Sequence, residues 1–308
     1  MYDLIIIGGG PGGVAAGIYA ERKKIKTLLI TESFGGQSVV SGDVRNWIGT
    51  KSVSGFDLAV MLENHLRDHE DIDIIGDDLV EKIEKIEGGF KLTTKNGKTF
   101  ETKYLLLSSG SRRRKLDIPG EKEFDGKGVA YCSTCDAPIF KDKTVAVVGG
   151  GNAGLEAVTD LIPYASQIYL LVRSDVLKGD PVTQDLVKNS PKAKIVFNAV
   201  PQEVVGGQFV TSLKYQDKTS GETKELKLDG IFIEIGAVPN SEIVKGLASL
   251  NDRGEVIVDH KTQATSDPSI WAVGDVSDVL YKQNNISAGD AIKAVLNIYD
   301  RLRKAPGS

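Results

Sequence analysis

The sequence is short of the side chains that bind soft metals. Its 308 residues include two cysteines and three histidines, His65, His69 and His260, whereas a structural zinc site takes four such ligands. It also lacks an uninterrupted apolar run of about 18 residues, the length that crosses a bilayer as a helix, and this excludes a membrane span. Lysine and arginine number 38 against 42 acidic residues, so the net charge of -4 gives no basic surface for nucleic acid. Arg112-Arg113-Arg114-Lys115 is the one dense basic run, a local patch beside a loop. Met1-Tyr2-Asp3-Leu4 leads straight into a predicted strand without the basic head and cleavage site of a signal peptide, so the expected location is the cytoplasm. Reducing conditions there disfavour a structural disulfide. The pair Cys132-x-x-Cys135, with Asp136 directly after it, is therefore metal-binding or redox-active before it is structural.

Glycine, by contrast, is plentiful, and two loops concentrate it. Leu4-Ile5-Ile6-Ile7 is apolar and β-branched, the pattern of a strand buried on both faces of a parallel sheet. It opens into G-x-G-x-x-G at Gly8, Gly10 and Gly13, followed by a small, apolar segment over 14–20 that suits a helix lying close on a sheet. A second strand over 27–30 follows, with Glu32 just past it, 19 residues after Gly13 and about where a ribose diol is met. In such a loop the first glycine permits the tight turn, the second lets backbone approach a pyrophosphate, and the third lets helix and strand close up. The helix N-terminus adds unpaired N–H groups.

The same order recurs as a strand over 143–148, glycines at Gly149, Gly151 and Gly154, a helix over 155–162 and a strand over 167–172. Two nucleotide loops imply two cofactors that exchange electrons, most simply a flavin and a nicotinamide. Arg173, Ser174 and Lys178 follow the second strand of the second loop and lean towards NADPH, since a cation there favours a 2′-phosphate.

Between the loops the spacing predicts an amphipathic helix over 56–68, a β-hairpin from 79–86 and 90–94, and a turn at Asn96-Gly97. Buried strands over 104–107 and 230–235 lead to the crossings between domains, near 110–115 and 236–241. The tail returns as a strand ending in Gly274-Asp275, whose carboxylate can meet a polyol, and a helix over 288–302. The expected fold class is α/β, with two Rossmann-like dinucleotide-binding domains, the second inserted in the first: 1–116 with 243–308, and 117–242 carrying the CxxC.

With two nucleotide loops, Cys132-Ser133-Thr134-Cys135-Asp136 ahead of the second, and a closing Gly-Asp, the chain resembles the low-molecular-weight thioredoxin reductases over nearly its whole length. It is similar as well to the C-terminal part of the alkyl hydroperoxide reductase flavoprotein subunit, above all in 149–157 and Tyr281-Lys282-Gln283. The resemblance implies FAD on Gly8, Gly10, Pro11 and Gly12, with Glu32 near its adenosine side, Gly36 and Gln37 along it, and Asn46 near the isoalloxazine. It implies Val80 at the adenine through its backbone, and Asp275, Gln283 and Asn284 at the ribityl and ring region. The nicotinamide nucleotide would use Gly151, Asn152, Ala153 and Glu156, with Arg173, Ser174 and Lys178 near any 2′-phosphate.

The donor segment matches neither relative. NADPH-dependent members show His-Arg-Arg and a further Arg where this chain has Val172, Arg173, Ser174 and Lys178, and the NADH-dependent flavoprotein has an acid at the position of Val172. The donor is thus NADPH or NADH, with ferredoxin the route of members that lack the signature. The resemblance further implies a disulfide between Cys132 and Cys135, with Cys135 meeting the flavin, Cys132 attacking the partner disulfide, and Asp136 protonating the departing thiolate. It implies rotation of one domain against the other about the two crossings, and a homodimer.

The residues themselves support a redox reading. His65 and His69 stand at i, i+4 but among Arg67, Asp68 and Glu70, as a solvated face does, so no metal site is expected; two inert thiols would leave Asp136 unexplained. Trp47, next to Asn46, fits a flavin wall or a core rim equally, and Trp271 fits core. The expected activity is a flavin-dependent disulfide reductase, with a thioredoxin or other small dithiol protein as external partner, because no further cysteine remains to receive electrons. The alternatives are a reductase serving a peroxide-detoxifying partner, an NAD(P)H oxidase, and a flavin-bearing redox sensor.

Overall fold

The computed structural model describes residues 1–41 and 44–304, and the chain forms two compact units, one of 1–40, 44–112 and 238–304 and the other Ser41 with Arg113–Ala237. Unit 1 begins with β1 (Tyr2–Gly9), α1 (Pro11–Arg22), β2 (Thr27–Phe34), α2 (Gly55–Arg67) and β3 (Ile72–Ile75). Then come β4 (Val80–Ile86), β5 (Gly89–Thr94), β6 (Thr99–Leu107) and the crossing strand β7 (Ser111–Arg113). Unit 2 contains β8 (Val129–Ala130), the short helical turn α3 (Ser133–Asp136), β9 (Thr144–Val148), α4 (Asn152–Leu161), β10 (Gln167–Leu171), α5 (Pro181–Asn189) and β11 (Ala193–Val196). Its chain continues through β12 (Ala199–Gly206), β13 (Val210–Asp217), β14 (Thr223–Lys227) and β15 (Gly230–Ile233) to the second crossing strand, β16 (Ala237–Pro239). β17 (Ile270–Ala272) and α6 (Asn284–Lys304) complete unit 1, the helix starting about a turn earlier than its apolar spacing predicts.

The sheet of unit 1 runs β3-β2-β1-β6-β5-β4, with β17 also on β6. Strands β3, β2, β1, β6 and β17 are parallel, and β5 and β4 are antiparallel additions. The expected short strand over 104–107 is the second half of a longer one. Thr99 to Thr102 of β6 pair with β5, and Leu105 to Leu107 pair with β17. Both faces of β1 are covered, as its unbroken apolar run requires. Leu4 and Ile6 pack with α1, α2 and α6, while Ile5 and Ile7 pack with Phe90, Leu92, Val256 and Val276 on the other face. Trp271 is fully buried in the first of these cores, and its indole N–H donates to Asn297 Oδ1 at 3.2 Å.

Unit 2 repeats the plan with a parallel sheet, β11-β10-β9-β15-β8, and adds the antiparallel meander β12-β13-β14. Val145 and Val147 of β9 face α4, while Ala146 and Val148 face the meander residues Val204, Leu213 and Tyr215. Helix α5 starts where Asp180 accepts from the Thr183 N–H at 3.1 Å and Pro181 takes the first helical position. The meander and α5 are not evident in the sequence: their exposed faces are charged or mixed, and their apolar positions become meaningful only against the sheet.

Candidate active site

The glycine loop of unit 1 divides its residues by steric role. Gly8 has φ +111°, and a Cβ there would strike the Ser108 carbonyl; a Cβ on Gly13 would strike the carbonyl oxygen of Gly8. At Gly10 the nearest atom to a Cβ is Gly36 Cα at 3.9 Å, so the second glycine fronts open space at the start of α1. Pro11 takes the first helical position, and no side chain caps this end. The result is a cradle that exposes backbone N–H groups, the shape and polarity that a pyrophosphate requires.

Around it the structure gathers several of the anticipated residues. Gln37 donates through Nε2 to the Ser111 carbonyl at 2.6 Å, to Ser111 Oγ at 3.0 Å and to Asp275 Oδ2 at 3.4 Å. Ser111 Oγ in turn donates to Asp275 Oδ2 at 3.3 Å. A second group joins Asn46 Nδ2 to Gln283 Oε1 at 3.3 Å, and Asn285 Nδ2 donates to the Asn46 carbonyl at 2.7 Å. Asn284 donates to Ser38 Oγ at 2.8 Å, and a Cβ on Gly12 would press on the hydroxyls of Ser287 and Ser108. Glu32 is exposed on β2, which runs on to Phe34 rather than stopping at Ile30. Val80 opens β4 with its side chain buried, and Trp47 is half-buried against the α-helical core. Ser111, Asn285 and Ser287 carry no signal of their own in the sequence, because only the closed sheet and the N-terminus of α6 bring them to the loop.

The loop of unit 2 follows the same rule. Gly149 has φ +141° and abuts the Glu234 carbonyl, and Gly154 abuts Gly149. Gly151, the residue before α4, has nothing within 4 Å of a Cβ. Gly150 lies against Val172, so a bulkier side chain there would displace that strand end. Asn152 Oδ1 accepts from the Asp180 N–H at 2.7 Å, tying α4 to the cap of α5, while Ala153 on the first turn and Glu156 just past it are exposed. Above the loop is a cleft of about 520 Å³ lined by Gly149, Gly150, Gly151, Arg173, Ser174 and Lys178, with Arg114, Lys115 and Glu234 at its wall. Ser174 Oγ is held by the Val176 carbonyl at 2.9 Å, and Arg173 and Lys178 are exposed. Four cations around one cleft make it electropositive, as an anionic ligand requires.

Cys132 and Cys135 form a disulfide across α3, with Cα atoms 5.4 Å apart and both residues half-buried. The turn between them is pinned. The Asp136 N–H donates to the Cys132 carbonyl at 3.0 Å, Ser133 Oγ donates to Asp160 Oδ2 of α4 at 2.9 Å, and Thr134 Oγ1 donates to the same oxygen at 3.2 Å. Burial pushes the Asp136 carboxyl up to about 6. Burial likewise pushes Glu234 up to about 7, against the pull of Arg113 and the Ser133 N–H and with reinforcement from Asp160 and Glu156. Glu234 is a site residue that sequence reasoning misses, although a lone carboxylate at the end of the apolar run 230–233 is the available signal. Among the described residues no cluster of three or more metal-ligating side chains occurs, and no helix is long and apolar enough to cross a membrane.

Comparison with known proteins agrees with this geometry. The pyridine nucleotide-disulphide oxidoreductase family model matches residues 2–294. The chain is 41% identical over 301 residues to the NADH dehydrogenase of Bacillus subtilis and 41% identical over 304 residues to the F component of the alkyl hydroperoxide reductase of Pseudomonas putida. Each alignment covers 98% of this chain, which spans 58% of the length of either relative. Among solved structures, the thioredoxin reductase of Streptococcus pyogenes superposes with a TM-score of 0.90 at 30% identity, covering 98% of both chains.

Proposed function

The chain belongs to the pyridine nucleotide-disulphide oxidoreductase family, and from that premise we propose that it is a flavin-dependent disulfide reductase, taking electrons from a nicotinamide nucleotide and delivering them through Cys132-Cys135 to a thioredoxin or another small dithiol protein. The observation that carries this reading is the disulfide itself, pinned in a turn beside a carboxyl that burial keeps protonated up to about pH 6. When bound, FAD supplies the two-electron chemistry that links a nicotinamide to a disulfide. Gly8, Gly10, Pro11 and Gly12 would hold its pyrophosphate at the head of α1, and Glu32 and Val80 its adenosine side. Gly36, Gln37, Asn46, Asp275, Gln283 and Asn284 would hold its length, already cross-linked by their own hydrogen bonds. Gly151, Asn152, Ala153 and Glu156 would seat the nicotinamide nucleotide.

The cleft cations Arg114, Lys115, Arg173 and Lys178 support NADPH over NADH. Asp136 donates a proton to the thiolate released when the disulfide opens, a role suited to an acid near pH 6. Cys132 and Cys135 are half-buried residues, which is compatible with access by a protein partner. The likeness to the F component of alkyl hydroperoxide reductase favours a second reading in which that partner serves peroxide removal. By the same family reading the enzyme is a cytoplasmic homodimer.

Anaerobic titration of the purified flavoprotein with NADPH and NADH in separate runs tests the donor. Bleaching of the flavin absorbance is expected with NADPH at lower concentration. If neither nucleotide bleaches it, the nicotinamide route is wrong and a ferredoxin-type donor takes its place. Cys135→Ser should keep this bleaching and lose all turnover of a thioredoxin disulfide; oxygen-linked consumption of the nucleotide that persists in that variant, with no disulfide turnover by the wild type, would sink the reductase reading in favour of an oxidase.

A further inference from the structure

Glu234 follows directly on β15 and stands at a junction within unit 2. Its backbone N–H donates to the Val148 carbonyl at 2.9 Å, and its own carbonyl is what Gly149 abuts. Its side chain, 8% exposed, lines the nucleotide cleft and accepts from the Ser133 N–H through Oε1 at 3.4 Å. That N–H belongs to the peptide joining Cys132 to Ser133, so a charge on Glu234 lies against the backbone of the first cysteine. The groups that face Glu234 are Arg113 from β7 and Asp160 and Glu156 from α4, two acids against one cation. Asp160 already fixes the hydroxyls of Ser133 and Thr134. The carboxylate of Glu234 is thus a negative group held against the backbone of Cys132 on the cleft side.

We propose that Glu234 is a positioning residue for Cys132: as a carboxylate it opposes negative charge on the Cys132 sulfur, and when protonated it ceases to do so while still holding the turn. This deepens the reading of Cys132-Cys135 as a redox pair and rests on it. Opening the disulfide takes two electrons and two protons; the S–S bond breaks, one pair of electrons enters, and each sulfur ends as a thiol or, having returned its proton to water, a thiolate. A two-electron reductant supplies the electrons, and the proton on each sulfur is held more firmly the more negative its surroundings are. An acid that titrates near neutrality beside Cys132 therefore sets how much attacking thiolate exists at a given pH, and an occupant of the cleft that shields Glu234 changes that amount.

The test uses the purified flavoprotein reduced with excess dithiothreitol and freed of it, so that neither nicotinamide nor partner protein is needed. Alkylation by iodoacetamide is followed from pH 5 to 10, with each cysteine scored by peptide mass spectrometry. Glu234→Gln keeps an acceptor for the Ser133 N–H and removes the charge. The expected result is alkylation of Cys132 about three- to tenfold faster than wild type at pH 7.5, with a smaller change at Cys135. The gap should close to within twofold near pH 5, where the side chain is neutral in both proteins. The wild type alone gives a second measurement that needs no variant to fold: the rise of Cys132 alkylation with pH should be shallower than a one-proton titration curve around pH 7, because Glu234 gains its charge there. Alkylation of Cys132 in Glu234→Gln within twofold of wild type across the pH range overturns the proposal, as does an equal acceleration of both cysteines or one that is the same at pH 5 and pH 7.5. Because the readout is thiol reactivity, a failure of the reductase reading, no turnover with any dithiol partner, leaves these rates to be measured unchanged.

Discussion

Asp136 follows the second cysteine in sequence and is half-buried behind it, so its proton is held about two pH units longer than in an unfolded chain, whose value is 3.8. The unfolded form therefore ionises first as pH rises, and folding stability falls between about pH 4 and pH 6 for this group and stays lower above that. Asp136→Asn removes the penalty. Urea denaturation should show the variant more stable than wild type at pH 8, by on the order of 1–3 kcal/mol, and the gap should close at pH 4. Disulfide turnover moves the other way. The variant should lose roughly 100-fold in turnover, and the wild-type rate should decline as pH climbs past the range in which Asp136 carries its proton. Sequence alone places Asp136 correctly beside the cysteines because the two are neighbours in the chain. Glu234 is not legible in the same way: it is remote from Ser133 in the chain, and only the pairing of β15 with β8 and β9 brings it to the turn.

Each glycine loop contains glycines pressed against backbone and a glycine that fronts open space, and the distinction holds at the level of the strand-turn-helix element. Gly13 and Gly154 are third glycines pressed on the carbonyls of Gly8 and Gly149, whereas Gly151 faces open space. Alanine at Gly154 should lower stability by about 1–3 kcal/mol, seen as an earlier unfolding midpoint, because the helix must back away from the strand. Alanine at Gly151 should leave that midpoint in place and weaken nucleotide binding, measured by the concentration of NADPH needed to bleach the flavin. Such elements are legible because strand, glycines and helix are contiguous and their periods change at fixed points. The meander β12-β13-β14 is not, since Lys224, Glu225 and Lys227 make β14 look like solvated loop, and its apolar partners Leu213 and Tyr215 lie on the neighbouring strand. β6 shows only its second half in the sequence for a related reason: Thr102 and Lys103 precede its apolar run at the point where it exchanges one partner strand for another.

At the scale of the whole molecule, each unit has its own pair of hydrophobic cores, one on each face of its sheet. FAD is assigned to the first unit and the nicotinamide nucleotide to the second, so each ligand should stabilise its own unit by mass action. Differential scanning calorimetry of the flavoprotein should resolve a component that shifts upward with added NADP⁺ and one that does not, and the flavin-depleted protein should lose stability in the latter. A single transition that moves as one with either ligand would contradict this assignment.

The pairing of β17 with β6 has a consequence for biosynthesis. Ile270 joins Leu105, and α6 closes the core that α1 and α2 begin, so the sheet of unit 1 stays incomplete until β17 and α6 have left the ribosome. Arg113–Ala237, by contrast, emerges as an uninterrupted stretch with its own parallel sheet. A nascent chain that has emerged from the ribosome to just past residue 240 would therefore carry a finished second unit and an unfinished first one, its β6 edge open to proteases and chaperones until translation supplies the missing strand.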